Sequence, residues 1–205
     1  AVTGVQTCAL PISDAHPLGE GRRPWPPNTG GRLRSFNILA ELARVHSVTV
    51  ATTHGPGEDP DALAAGLPQC IRVVSVPYSS LKWHSPRFPF VLLRSWLSPM
   101  PVDIWKCRVP ALRREVARLL ESGQVDLCIG DFLFAMPNIP ATPVPLVFFA
   151  HNVEHMIWKR LCSVERRPWL KPLLEMEWRK MRRYEAEACR RARLTDRKST
   201  RLNSS

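Results

Sequence analysis

The sequence predicts an α/β fold, a parallel sheet with helices on both faces. Three observations predict it. Short β-branched or apolar runs alternate with segments of helical period along the chain, which is the pattern of βαβ units. One of those runs, PLVFFA (Pro145 to Ala150), is apolar throughout, as a central strand covered on both faces must be. The chain has 205 residues, 44% of them hydrophobic, enough for one domain with a real core. No internal repeat is present. No apolar run reaches the roughly 20 residues of a membrane span; FPFVLLRSWL is short and Arg94 interrupts it. The opening has neither an initiator Met nor a basic n-region and does not read as a signal peptide.

The elements follow in order. The opening AVTGVQTCALPIS has no charge and no clear periodicity, and the closing DRKSTRLNSS is polar and breaks a helical pattern. Both resemble translated sequencing-adapter read-through. Residues 1–13 and 196–205 are therefore expected to be foreign or disordered tails around a domain of residues 14–195. HPLGEGRRPW is no strand, so the first strand is expected to be missing.

In residues 31–45, Leu33, Phe36, Leu39, Ala40, Leu42 and Ala43 share one helix face. SVTVAT (Ser47 to Thr52) and IRVVSVP (Ile71 to Pro77) are β-branched and read as strands. GPGEDPDALAAG between them reads as a loop with one helical turn. A Pro- and aromatic-rich region follows, with a short helix near Phe90 to Leu97. PALRREVARLLESG (Pro110 to Gly123) has Pro early and Gly past its end, the punctuation of a helix. Its apolar face is Leu112, Val116, Leu119 and Leu120. VDLCIG (Val125 to Gly130) is a strand and FLFAMPNIP a short helix or turn. After PLVFFA, residues 152–162 and 168–191 read as helices. The second places Leu170, Leu173, Leu174, Met181, Tyr184 and Ala188 near one face.

Ligands of such sheets bind where strands end at their carboxyl edge, and the candidate residues lie there. Gly30-Gly31 opens the first helix, where a glycine lets backbone approach a ligand and the helix start favours an anion. Arg32 and Arg34 add charge beside it. A plain turn explains the glycine pair equally well. His151 follows the apolar strand directly and suits a hydrogen bond to a sugar hydroxyl or a proton transfer; satisfying loop carbonyls is its ordinary alternative. Asn152 can cap the next helix. Asp131 ends a strand and can contact a ligand or cap the short helix after it. His151-x-x-Glu154-His155 also spells a zinc-hydrolase pattern, but only its last part is clearly helical.

The net charge is +11. Residues 166–201 carry 13 Lys/Arg against 5 Asp/Glu, pointing to an anionic partner or to a solvated helix face. WRKMRRYEAEACRRARL has no nucleic-acid-binding motif, leaving docking on the sheet or contact with anionic lipid. Six scattered cysteines without a C-x-x-C pair are expected to be reduced thiols of a cytoplasmic protein.

Taken together, PPNTGGRLRSFNILAELARVHSVTV, DLCIGDFLFAMPNIP, PLVFFAHNVEHMIWKRL and RRYEAEACRRARLT resemble the amino-terminal domain of family-four glycosyltransferases over about residues 24–195. The resemblance implies one half of a two-domain GT-B enzyme with Rossmann-like domains facing across a cleft. Such enzymes move a sugar from a nucleotide-sugar donor to an acceptor, usually with retention and without a bound metal or other cofactor. It implies that Gly30 and Gly31 lie near the donor diphosphate and His151 near the transferred sugar as the catalytic candidate. Arg34, Asp131, Asn152 and Glu154 are the accompanying donor- or acceptor-binding candidates. Many members act at the cytoplasmic membrane face on lipid-linked or surface-polysaccharide acceptors, which suits the basic surface; no nucleic-acid partner is expected. The family's second domain, which holds most nucleotide-binding residues and a pair of glutamates, has no match in this sequence, so the chain alone is expected to be inactive. The alternatives of other classes are a zinc metallohydrolase using His151, Glu154 and His155, and a non-catalytic basic binding module.

Overall fold

The computed structural model describes residues 6–10, 30–57, 71–79 and 88–197, with the isolated residues 59, 61, 65, 67, 85 and 86. Its strands are β1 (Gln6–Leu10), β2 (Ser47–His54), β3 (Ile71–Pro77), β4 (Leu127–Asp131), β5 (Leu146–Ala150) and β6 (Leu194–Arg197). Its helices are α1 (Gly30–Ala43), α2 (Phe88–Trp96), α3 (Val102–Lys106), α4 (Pro110–Glu121), α5 (Glu154–Val164) and α6 (Lys171–Arg191), with a 3-10 turn over Leu133–Asn138.

All six strands form one sheet in the order β3-β2-β1-β4-β5-β6, and every pairing is parallel. This is the doubly wound order of Rossmann-like sheets, with the direction of winding reversing beside β1. The fold is thus α/β and compatible with a Rossmann-like architecture. One expectation is corrected. The first strand is not missing: Gln6–Leu10 fills the central slot, with Thr7 opposite both Val48 and Leu127. An uncharged run of four or five residues needs no periodicity of its own to occupy a slot whose backbone partners are supplied on both sides. At the other end, β6 takes residues 196 and 197 into the sheet through Phe149↔Asp196 and Ala150↔Arg197.

Alternation along β2 and β3 places a helix layer on each face. Val48, Val50 and Ile71 are buried in a small cluster with Ala43 of α1. Ala51 and Val76, of opposite parity, are buried in the main cluster with Leu112, Val116 and Leu120 of α4 and Met181 and Ala188 of α6. The α4 face is as expected except that Leu119 is only partly buried. Leu33 of α1 is exposed. Leu170, just before α6, and Leu173, Leu174 and Tyr184 on it are half-buried, while Glu177, Lys180 and Glu185 are buried beside Met181. The loop reading of residues 55–66 and the Pro- and aromatic-rich segment before Phe88 lie largely outside the described residues.

Candidate functional site

Two neighbouring strands end at one point of the carboxyl edge. β4 closes with Asp131, and β5 closes with Ala150, so His151 comes next. Gly130 pairs with Phe148 and Asp131 with Phe149, which sets the two strand ends level. His151 Nε2 then lies 2.5 Å from Asp131 Oδ1. Both side chains are nearly withdrawn from solvent, at 5% and 9% exposure. An ionised carboxylate only accepts, so Nε2–H donates and Nδ1 is the nitrogen left for other chemistry.

Phe132 braces this pair. Its ring stacks on the His151 ring with centroids 3.7 Å apart and planes 11° from parallel. Its backbone sits at φ 67°, ψ 154°, a region that glycine alone occupies without strain, at a cost of about 1–3 kcal/mol. Phe132 N–H donates to the Phe149 carbonyl at 3.1 Å, which continues the β4–β5 ladder past the strand end. The strained residue thereby turns the chain into the 3-10 turn and lays its ring on the imidazole.

A second polar layer begins one turn further. Glu154 opens α5 and is buried at 8% exposure. Burial pushes its carboxyl up to about 7, opposed by a hydrogen bond from Asn152 and reinforced by the nearby Glu185 and Asp103 charges; His151 pulls the other way. His155 binds Glu185 of α6 twice, through Nδ1 at 2.6 Å and through its backbone N–H at 3.3 Å. Behind it, Glu177 accepts from Val102 N–H at 2.8 Å, Lys180 donates to Glu177 at 3.3 Å and to the Ser95 carbonyl at 2.8 Å, and Lys106 pairs with Asp103 at 2.7 Å.

The structure brings four of the candidates together: Asp131 and His151 in direct contact, and Glu154 beside them with Asn152 bonded to it. Two local expectations are corrected. Asn152 does not cap α5, whose N-cap is Val153 without a side-chain bond; its amide serves the Glu154 carboxyl instead. Asp131 does not cap the 3-10 turn, whose N-cap is Phe132, again without a side-chain bond; a reachable imidazole draws the carboxylate away. Arg34, in the second turn of α1, pairs with Asp196 of β6 at 2.5 Å, so α1 begins over the same edge of the sheet. Gly30 and Gly31 open α1; residues 11–29, which a phosphate loop would include, lie outside the described residues. The H-x-x-E-H pattern does not converge. His151 meets Asp131, His155 meets Glu185, and among the described residues no three His, Cys, Asp or Glu side chains are grouped to hold a metal ion.

Sequence reasoning missed Phe132, whose positive φ leaves no signal in a lone Phe, and Glu185, which looks like one more charge on a basic helix. It also missed His54, at the end of β2, whose Nδ1 lies 2.7 Å from Ser75 Oγ.

Fold and site together define an α/β protein with a carboxylate-oriented histidine at the carboxyl edge of a doubly wound parallel sheet. No family model matches the chain, and no curated protein is significantly similar to it.

Proposed function

We propose that this chain is the acceptor-side domain of a nucleotide-sugar-dependent glycosyltransferase of GT-B type. The observation that carries the reading is the His151–Asp131 pair, level with the end of a central strand on the edge where ligands of such sheets bind. In this reading Asp131 holds the ring through Nε2, and Nδ1 of His151 takes the sugar hydroxyl. The helix start at Gly30-Gly31, with N–H groups that its own helix cannot pair and a positive dipole end, suits a donor diphosphate. Asn152, exposed beside His151, extends the polar surface on which an acceptor would lie, and the buried Glu154 holds its amide. In this reading a second domain supplies the nucleotide-binding residues, transfer proceeds with retention, and no metal or other cofactor takes part.

The test is turnover of nucleotide sugars by the protein that joins this chain to such a domain. His151→Ala is expected to lower kcat at least about 100-fold, the range of a lost acid–base group, with circular dichroism unchanged. The 205-residue chain alone is expected to give no transfer. Turnover by the chain alone, or a His151→Ala enzyme that keeps most of its activity, overturns the proposal.

A further inference from the structure

A second histidine stands on the same edge of the sheet. His54 closes β2 and is half-buried, and its Nδ1 lies 2.7 Å from Ser75 Oγ of β3. The strand register fixes where this pair stands relative to Asp131 and His151. Ala9 of β1 is opposite both Val50 and Ile129, so two residues further on Thr52 and Asp131 are level. Ser75 is opposite Thr52, and Phe149 is opposite Asp131. Ser75 and Asp131 therefore share one level of the sheet. His54 lies two residues beyond Thr52 and His151 two beyond Phe149, so the two histidines are level as well. The pairs also share a face. Ala51, Val76, Cys128 and Phe148 are buried on the α4–α6 side. Strand side chains alternate, which turns Thr52, His54, Ser75 and Asp131 to the α1 side.

The backbone is fastened alike at both places. Tyr78 N–H donates to the His54 carbonyl at 2.9 Å, as Phe132 N–H donates to the Phe149 carbonyl, so each ladder runs on past its strand. Nε2 of His54 has no hydrogen-bond partner among the described residues, yet it is not one of their buried unsatisfied atoms. It is open to solvent. A histidine that merely satisfies its surroundings accounts for Nδ1 alone.

The two histidines stand on either side of the point where the winding reverses, between β1 and β4. Three strand spacings separate β2 from β5, about 14 Å. No single sugar ring touches both. Ser75 brings a hydroxyl and no charge. It can donate or accept, so Nε2 of His54 can accept or donate in turn, which suits a sugar hydroxyl.

We propose that His54, oriented by Ser75, is a second ligand-binding residue of this crevice, taking a hydroxyl of a glycan chain of at least two sugar units whose reacting unit lies at His151. The inference rests on the glycosyltransferase reading and narrows its acceptor to an oligosaccharide. His54 binds and Ser75 positions it; neither takes part in the bond change.

The test is proton–nitrogen NMR of the imidazoles in the 205-residue chain, titrated with glucose, cellobiose and maltose. At least one disaccharide is expected to move the His54 and His151 signals together, while glucose moves no more than one of them. His54→Ala is expected to weaken that disaccharide about fivefold, the range of one hydrogen bond, with circular dichroism unchanged. Ser75→Ala should shift the His54 Nδ1 signal and weaken binding, and Ser75→Thr, which keeps the hydroxyl, should restore both. A His54 signal unmoved by both disaccharides, glucose moving both histidines, or a His54→Ala chain that binds as tightly as wild type overturns the proposal. Turnover of nucleotide sugars judges the transferase reading separately. A silent His54 in an enzyme whose turnover needs His151 overturns this inference alone; disaccharide shifts at both histidines in a protein without turnover overturn the transferase reading and leave the glycan crevice standing.

Discussion

Glu154 is the residue whose environment most changes its chemistry. Its carboxyl is held up to about 7 from an ordinary 4.5, first by burial. The native state therefore binds this proton more tightly than the unfolded chain does. Stability is full below about pH 4.5, falls as pH rises toward 7, and stays lower above it. The difference corresponds to roughly 3 kcal/mol at pH 8 as an upper estimate. Glu154→Gln keeps the shape and removes the ionisation. It is expected to flatten this slope and to be the more stable protein at pH 8, as read by urea denaturation at pH 5 and 8; a variant less stable at both would show that the carboxylate itself is needed. Gly130 makes the opposite kind of demand. A Cβ there would stand 2.8 Å from Met136 Sδ and 3.1 Å from Ile139 Cδ1, and both side chains are fully buried. Gly130→Ala is expected to cost about 1–3 kcal/mol by overpacking, measured as a lowered urea midpoint at unchanged slope.

Elements were legible where their own composition decided them. The β-branched or apolar runs at β2, β3 and β5 and the Pro-to-Gly punctuation of α4 carried enough local preference to be read directly. Gly123, at φ 70° past the end of α4, shows why glycine ends that helix. What was not legible depended on partners far along the chain. α3 is five residues long in a proline-rich segment, too short to show a period. The buried charges of α6 look solvated in sequence, because their partners are Val102, Ser95 and His155, 30 to 85 residues away. The same holds for Asn138, which no pattern singles out. It accepts from Val109 N–H at 2.8 Å and donates to the Cys107 carbonyl at 2.9 Å, fastening the 3-10 turn to the junction of α3 and α4. Asn138→Ala would take the acceptor from the buried Val109 N–H and remove the bond to the Cys107 carbonyl. It is expected to cost about 2–4 kcal/mol and to raise amide exchange at Val109 first; exchange unchanged there would mean the junction is held by packing alone.

For the molecule as a whole, the edge carrying His151 exists only if the sheet is continuous, and its continuity passes through β1. Gln6–Leu10 pairs with β2 on one side and with β4 on the other. Without it the β2–β3 pair and the β4–β5–β6 group would each face a row of unpaired backbone groups, an expensive defect in a buried parallel sheet. The winding reversal that creates a ligand crevice would disappear with it. This is why the site was readable in part only: His151 announces itself by following an apolar strand, whereas the slot that sets β4 beside the rest of the sheet is filled by a run with no pattern of its own. Ala9 lies opposite Val50 and Ile129, so proline there removes a central ladder donor that no edge position can excuse. Ala9→Pro is expected to abolish cooperative unfolding, with near-UV circular dichroism lost and amide protection falling in β2 and β4 alike. If Ala9→Pro unfolds at the wild-type midpoint with protection in both neighbours intact, β1 is not part of the cooperative sheet. The α/β unit would then be two separate strand groups, and the Asp131–His151 pair would stand on one of them without a crevice beside it.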